Sequence, residues 1–172
     1  MNEKNEPQSV VDAYARSRAG RAVWEGMWRD CYAYALPQHD VFNGNNANRT
    51  NTQIFDGTAL DAVDQLASSL LANLTPPWSS WFGLKPGPDL STADAESLSP
   101  VLEGAARIMQ AHFDRSNFAV EMHQSLLDLV TAGTGTMLFE EAAPGQLSAF
   151  RFSALPLASV TLDESSGTGR LE

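Results

Sequence analysis

The spacing of apolar residues changes once along this chain, at Gly133-Thr134-Gly135, from a period of about 3.6 residues to a period of about 2. Helical segments precede the change, and short strand-like segments follow it. Helices followed by strands in this order are typical of α+β folds. The sequence therefore predicts an α+β fold that is mainly helical, with four helices followed by a small antiparallel sheet.

The first helix is predicted from about Ser9 to Leu36, with Ser9 as its N-cap and Pro37 ending it. Five residues in its second half have the spacing of a buried stripe: Trp24, Met27, Trp28, Cys31 and Ala35. Gly20 and Gly26 weaken the helix, which indicates a bend or a close contact with another helix.

The second helix is predicted to begin at Thr58, a candidate N-cap with Asp61 three residues later, and to end at Thr75-Pro76-Pro77. Many residues of its broad apolar face are small, which lets neighbouring backbones approach closely. The face comprises Ala59, Ala62, Val63, Leu66, Ala67, Leu70, Leu71 and Leu74. Trp81–Leu84 then predicts a short strand or an extended segment, closed by the turn Pro86-Gly87-Pro88.

The third helix is predicted over about Leu98–Arg115, where Pro100 is tolerable only in the first turn. Its apolar face comprises Leu98, Val101, Leu102, Ala105, Ile108, Met109, His112 and Phe113. The fourth helix is predicted over about Phe118–Ala132, capped by Asn117, with Gly133 at a left-handed C-cap. Its predicted buried residues are Phe118, Met122, Leu126, Leu129 and Val130.

Three strands are predicted after the helices. Thr136–Glu141 and Leu147–Phe152 form a hairpin around Ala143-Pro144-Gly145, and Val160–Asp163 forms a third strand. A Gly-rich turn then delivers the chain towards another strand, with only a few residues left before Glu172. We therefore expect residues 1–172 to be a single region of a longer chain, with residues 1–8 and 43–52 flexible.

The charge balance argues against a nucleic-acid clamp. Eleven basic and 21 acidic residues give a formal net charge of −10. A protein that grips phosphates needs a basic footprint, whereas an acidic one avoids adhering to DNA that it handles. Four arginines (Arg16, Arg18, Arg21 and Arg29) lie in one early segment. They favour a solvated or inter-subunit helix face over a phosphate or carboxylate contact.

The sequence predicts no catalytic, cofactor or metal site. His39, His112 and His123 lack metal-ligand spacing, and Gly133-x-Gly135 lacks the lysine and the element order of a phosphate loop. Cys31 is the only cysteine, so an internal disulfide is excluded, and a reducing compartment fits. No signal pattern and no apolar run of about 18 residues is present, so we expect cytoplasmic synthesis and no membrane partner.

Two alternatives remain for individual residues. Cys31 with His39-Asp40 has the residue types of a thiol nucleophile and its base, although Cys31 lies on the predicted buried stripe. Trp78 and Trp81 flank the Pro-Pro stop, where they fit the core and a subunit interface about equally well.

Several strings form an ordered set between about Arg21 and Gly135. The first are Arg21-x-x-Trp24-Glu25-x-x-Trp28 and Tyr34-x-Leu36-Pro37. The next are Ile54-Phe55-Asp56-x-Thr58-Ala59, Leu66-Ala67-Ser68 and Leu74-Thr75-Pro76-Pro77-x-x-x-Trp81-Phe82. The last are Ser116-Asn117-Phe118, Asp128 and Gly133-x-Gly135. These strings resemble the head-to-tail connector, or portal, proteins of short-tailed, podovirus-type phages.

The resemblance implies a non-enzymatic structural subunit of a ring, usually dodecameric, at one vertex of the phage head, made in the host bacterial cytoplasm. Double-stranded DNA would enter the head and leave it through this ring without sequence-specific binding. Its partners would be the terminase, the capsid or scaffold, and tail adaptor proteins. The present residues would form an N-terminal, wing-like region. A free-standing helical adaptor or scaffold-like protein, or a remnant of a phage gene, is the alternative.

The resemblance also assigns structural motif positions. They are Trp24, Trp28, Leu36, Pro37, Phe55, Asp56, Thr58, Pro76, Pro77, Trp81, Phe82, Asn117, Phe118, Gly133 and Gly135. None of them has a catalytic or ligand-binding role implied.

Overall fold

A computed structural model describes residues 6–39, 42, 56–88 and 91–161. Within these residues the helices are α1 (Glu6–Ala35), α2 (Thr58–Leu74), α3 (Thr92–Arg115) and α4 (Phe118–Ala132). The strands are β1 (Thr136–Glu141) and β2 (Phe150–Leu155), which pair in one two-stranded sheet. Short 3₁₀ turns lie at Pro37–His39 and Leu157–Ser159. The predicted mainly helical α+β fold is confirmed.

The chain forms two compact units whose segments interleave along the sequence. The first unit takes Met1–Val63, Asp128–Thr136 and Leu155–Glu172, and the second takes Asp64–Leu127 and Met137–Ala154. Because each unit draws on separate parts of the chain, no single cut separates them. The assignment of residues 1–172 to one wing-like region stays a prediction, and the predicted flexible segment 43–52 lies outside the described residues.

Helix α1 begins at Glu6, so Ser9 lies inside it, and the prediction of Ser9 as N-cap is wrong. The predicted buried stripe is also wrong in part, because Trp24 and Met27 are 52% and 51% exposed. Tyr32 is the fully buried residue instead. Apolarity alone does not indicate which edge of a broad stripe faces the core, and a tyrosine with a hydrogen-bond partner can be buried completely.

Helix α2 has the predicted bounds, but Thr58 is not its cap. The Asp56 carboxylate accepts hydrogen bonds from the Thr58 backbone N–H (2.9 Å) and from its hydroxyl (2.7 Å). These bonds lower the pKa of Asp56, since they favour its charged form. Thr58 is the first helical residue because the Gly57 carbonyl accepts the Asp61 N–H at 3.1 Å, and its hydroxyl donates to Asp56. On the predicted apolar face only Val63 and Ala67 are buried.

Helix α3 begins six residues earlier than predicted. The Ser91 hydroxyl caps it by accepting the Asp94 N–H at 3.3 Å. Pro100 therefore lies inside the helix, and the prediction that it is tolerable only in the first turn is wrong. Pro100 and Glu96 are both exposed, so water can reach the Glu96 carbonyl that the proline leaves without a donor. Residues 81–84, predicted as a strand or an extended segment, have no assigned helix or strand.

Helix α4 has the predicted bounds, and its C-terminal cap is confirmed. Gly133 has φ +78° and donates its N–H to the Leu129 carbonyl at 2.8 Å, as a left-handed cap requires. Asn117 occupies the predicted N-cap position, since its carbonyl accepts the Glu121 N–H at 3.2 Å. Its side chain does not cap the helix, and the Ser116 hydroxyl accepts the Phe118 N–H at 3.1 Å. Leu129, predicted to be buried, is 42% exposed.

Strand β1 has the predicted bounds, whereas β2 starts three residues later than predicted. The turn between them contains Pro144 and Gly145, and Gly145 has φ +91°, which suits a type II turn with proline before glycine. The Ala142 N–H bonds the Ala149 carbonyl at 2.8 Å, and this register sets Phe139 opposite Phe152. The described part of the predicted third strand, Val160 and Thr161, is not a strand.

Candidate functional site

The predicted arginine cluster separates into one structural arginine and three exposed ones. Arg21 Nη1 donates to the backbone carbonyls of Leu157 (3.3 Å), Ala158 (2.9 Å) and Val160 (2.6 Å). Its Nε and Nη2 bond Glu25 Oε1 at 3.0 and 2.9 Å. Arg16, Arg18 and Arg29 are exposed.

The contacts of Arg21 also bear on why Val160 and Thr161, the described part of the predicted third strand, are not a strand. The guanidinium takes the carbonyl oxygens of Leu157, Ala158 and Val160, which would otherwise be available to a strand ladder. The 3₁₀ turn Leu157–Ser159 is the conformation that points these carbonyls at one cation. Arg21 was part of a sequence motif, but its long-range partners had no signal in the sequence.

A cavity of about 300 Å³ lies beside Arg21. Its walls are mostly apolar and include Trp24, Trp28, Leu157 and Val160. Two of the predicted motif residues, Trp24 and Trp28, thus line one cavity.

Tyr32 and Asp128 form the most buried polar pair of the first unit. The Tyr32 hydroxyl donates to Asp128 Oδ1 at 2.7 Å, and Tyr32 is 0% exposed. Burial raises the pKa of Asp128, while the tyrosine hydrogen bond and the nearby His39 act in the opposite direction. Asp128 belonged to a sequence motif, but the burial of Tyr32 was not predicted.

Cys31 and His39, the residues of the thiol-nucleophile alternative, share no hydrogen bond in the structure. Cys31 is half-buried on α1, and His39 ends the 3₁₀ turn Pro37–His39. Asp40, the third residue of that alternative, lies outside the described residues. Across the residues described, no group of three His, Cys, Asp or Glu side chains could hold a metal ion.

The motif residues Asn117 and Phe118 fix the second unit. Asn117 Nδ2 donates to the Phe152 carbonyl at 2.7 Å, and Asn117 Oδ1 accepts the Phe152 N–H at 3.0 Å. Glu121 Oε2 accepts the Ala154 N–H at 2.7 Å. The side chains of Asn117, directly before α4, and of Glu121, within it, thus bond the β2 edge as a neighbouring strand would. Glu121 had no sequence signal, because only the fold aligns it with β2.

Aromatic rings fill the second unit. Trp81 stacks on Phe118 with ring centroids 5.6 Å apart, and Phe113 contacts both of them edge-on. The cluster continues to Phe152, which is 4% exposed. Its members are Trp81, Phe82, His112, Phe113, Phe118, Phe139, Phe150 and Phe152. Of the two tryptophans left open, the structure places Trp81 in this core.

The remaining motif positions have simpler surroundings. Leu36 and Pro37 adjoin the C-terminus of α1, and Pro76 accepts the Ser79 N–H in the turn after α2. Pro77 is exposed, and Gly135 is half-buried. Trp78 is 79% exposed. Phe55 lies outside the described residues.

The other predicted chemical groups have structural or solvated settings. His112 Nδ1 accepts the Ala149 N–H at 3.1 Å, and His123 lies 3.3 Å from the Ser68 hydroxyl and 3.7 Å from Asp64. No helix in the described ranges is long and apolar enough to cross a membrane.

Comparison with known proteins gives a family for the whole arrangement. Residues 8–172 match the family described as "Bacteriophage head to tail connecting protein". The chain is 25% identical over 142 residues to the probable portal protein of Bordetella phage BPP-1. It is 29% identical over 142 residues to the portal protein of Salmonella phage epsilon15. Each alignment covers 80% of this chain and 25% of the relative, so the chain spans about a quarter of these relatives' length.

Proposed function

The chain belongs to the family of bacteriophage head-to-tail connecting proteins, and we propose that it is part of a portal subunit through whose ring DNA enters and leaves the phage head. The match to the family over residues 8–172 is the observation that carries this proposal. The relatives in two phages bear the name portal protein, which is consistent with it.

The contacts of the motif residues support a structural role. Arg21 bonds backbone carbonyls, Asn117 bonds a strand edge, and Trp81 fills an aromatic core. Each of these side chains uses its polar or aromatic groups to hold other parts of the protein. A subunit that holds its shape under load needs such contacts, whereas a catalytic site needs convergent reactive groups. The proposal therefore assigns no enzymatic activity to this chain.

The net charge of −10 suits a channel protein that surrounds DNA without gripping it. The proposed subunit assembles head to tail with identical copies in a closed ring, usually of twelve. It meets the terminase during packaging, the capsid or scaffold at the vertex, and tail adaptor proteins after packaging. The proposed location is the virion, after synthesis in the cytoplasm of the bacterial host.

Electron microscopy of the purified complete gene product tests the ring. Rings of uniform diameter with a central channel are the expected result. Compact monomers or dimers at protein concentrations of about 1 μM or more, where specific assemblies normally form, would contradict the ring. They would favour a free-standing helical adaptor.

The DNA role has a separate test. Phage-infected cells in which the gene is disrupted should yield heads without nuclease-protected DNA, and the intact gene supplied in trans should restore protection. Heads that fill normally without the gene product would contradict the packaging role, whatever the oligomeric state.

A further inference from the structure

An exposed stripe runs along α1 on the side away from Tyr32. It comprises Arg16, Gly20, Val23 and Met27, which we name the α1 outer stripe. The spacing of four, three and four residues keeps them on one helix face. Val23 is 82% exposed and Met27 is 51% exposed. Apart from the neighbouring residues and backbone of the helix itself, no atom lies within 4 Å of the position that a Cβ on Gly20 would occupy.

Helix α3 carries a stripe with the same spacing. It comprises Asp94, Leu98, Val101 and Ala105, which we name the α3 outer stripe. Val101 is 66% exposed, Leu98 is 39% exposed, and Ala105 is half-buried. Asp94 is exposed, although one of its carboxylate oxygens accepts the Ser91 hydroxyl at 2.6 Å.

The two stripes are complementary when their helices run parallel. The layers then pair Arg16 with Asp94, Gly20 with Leu98, Val23 with Val101, and Met27 with Ala105. One layer joins opposite charges, and two layers set a large side chain against a small one. Such alternation lets helices pack closely without voids. The match ends at the next layer, where Asp30 would face Ile108.

The charge pattern selects this direction over the opposite one. An antiparallel pairing of the same apolar layers would bring Asp30 towards Asp94 and leave Arg16 near Ile108. Like charges held in contact are unfavourable, whereas the parallel pairing joins Arg16 with a carboxylate.

We propose that the α1 outer stripe of one copy docks in parallel on the α3 outer stripe of the neighbouring copy in the assembled ring. A closed ring requires two different, mutually complementary patches on each subunit, and these two stripes meet that requirement. Four layers give less than the roughly 800 Å² per partner of a stable isolated pair, so the contact acts through its repetition around the ring. The inference rests on the proposed ring function and names one of its interfaces.

Cysteine cross-linking of the complete gene product tests the contact. In a background in which Cys31 and any other cysteines of the complete gene product are replaced by serine, Val23→Cys and Val101→Cys are placed on separately tagged copies and co-expressed. Oxidation should give a disulfide-linked dimer that carries both tags, since facing layers bring Cβ atoms to disulfide distance. Each variant expressed alone should give none. Val120→Cys is the matched control for Val101→Cys, because Val120 is 64% exposed on α4 and lies off the stripe.

A charge exchange gives a second, independent readout. Arg16→Asp or Asp94→Arg alone should raise the concentration needed for ring formation by about two- to fivefold per contact, and the double exchange should restore it. Arg18→Asp and Glu96→Arg, both exposed and off the stripes, should leave it unchanged. Because Asp94 also lies at the start of α3, restoration by the double variant separates the contact from a local effect on that helix.

Each other outcome overturns the proposal in a recognisable way. Intact rings without the mixed dimer would leave the ring function standing and remove this interface. A third variant carries Val23→Cys and Val101→Cys on one copy, and a disulfide within that copy would show that the stripes pair inside a copy. A disulfide-linked dimer formed by either single-cysteine variant expressed alone would show that two identical stripes meet at a two-fold contact. Absence of any assembly by electron microscopy would reject the proposed ring function and the interface together.

Discussion

The buried Tyr32 hydroxyl donates a 2.7 Å hydrogen bond to Asp128, which joins the end of α1 to the C-terminal part of α4 within the first unit. Tyr32 has no exposed surface, and Asp128 is half-buried. The Tyr32 hydroxyl cannot exchange its partner for bulk water without opening the unit, so the pair contributes to both stability and pH dependence.

Tyr32→Phe removes the donor and leaves a half-buried carboxylate without it. We expect the free energy of unfolding to fall by about 1.5–3 kcal/mol, the range for hydrogen bonds to charged groups. Denaturant titration followed by circular dichroism measures this loss. Tyr34→Phe is the matched control, because Tyr34 is 55% exposed on the same helix, and it should change stability by less than about 0.5 kcal/mol. Equal effects of the two substitutions would contradict the role of the pair.

The raised pKa of Asp128 predicts a direction for the pH dependence. Burial favours the protonated form of Asp128 in the folded state. The stability that Asp128 contributes is therefore fully present at pH values below 3.8, the ordinary pKa of an aspartate. That contribution is lost as pH rises through the higher folded pKa. Wild-type protein should therefore lose stability relative to Asp128→Asn as pH rises from 3.5 to about 7. Unfolding titrations of both proteins across this range measure the difference, and the opposite slope would show that the pKa is lowered.

The side chain of Asn117 should protect the edge of β2. Asn117→Ala removes both bonds to Phe152, so stability should fall by about 1–3 kcal/mol. Amide hydrogen exchange at Phe152 should accelerate more than exchange at Ala142, whose N–H bonds Ala149 within the hairpin. Asn73→Ala serves as control, since Asn73 makes one exposed bond to its own helix. Unchanged exchange at Phe152 would contradict the edge contact.

Arg21 needs its planar fork to serve Glu25 and three carbonyls at once. Arg21→Lys keeps the charge but loses the fork, so stability should fall by about 1–3 kcal/mol. Arg29→Lys is the matched control, because Arg29 is exposed on the same helix. Thermal melts of the two variants make the comparison. If Arg21→Lys unfolds at the same temperature as the control, the contacts of Arg21 with the three carbonyls contribute no stability.

Phe152 and Trp78, two aromatic positions of the second unit, differ sharply in the stability that their replacement should cost. Phe152→Ala empties a site that is 4% exposed in the aromatic cluster and should cost about 3–5 kcal/mol. Trp78→Ala should change the stability of the isolated chain by less than about 0.5 kcal/mol, since Trp78 is 79% exposed. Unfolding titrations decide between them, and a large loss for Trp78→Ala would place that residue in a folded contact.

Local signals predicted the elements whose ends are set by neighbouring residues. The bounds of α2, α4 and β1 and the cap at Gly133 were correct because prolines, glycines and a change of period act within a few residues. The same approach was wrong for Ser9, which lies inside a longer helix, and for Thr58, which is the first helical residue because Gly57 accepts the Asp61 N–H. It placed the N-cap of α4 correctly at Asn117, but the capping hydroxyl is that of Ser116. The start of β2 and the non-strand conformation of Val160 and Thr161 accompany contacts with His112 and Arg21, which are distant in sequence.

By itself the sequence determined the fold class, the helix order, the net charge and the family, since periodicity, composition and ordered motifs are all properties of the chain in one dimension. Only the tertiary structure decided which apolar residues are buried. It buried Tyr32 and left Val23, Val101 and Trp78 exposed, although all four are apolar or aromatic. Burial depends on what each side chain packs against, and that partner is set by folding. The contacts of Arg21 and Asn117 likewise join residues that are far apart in the chain, so no local sequence pattern indicates them.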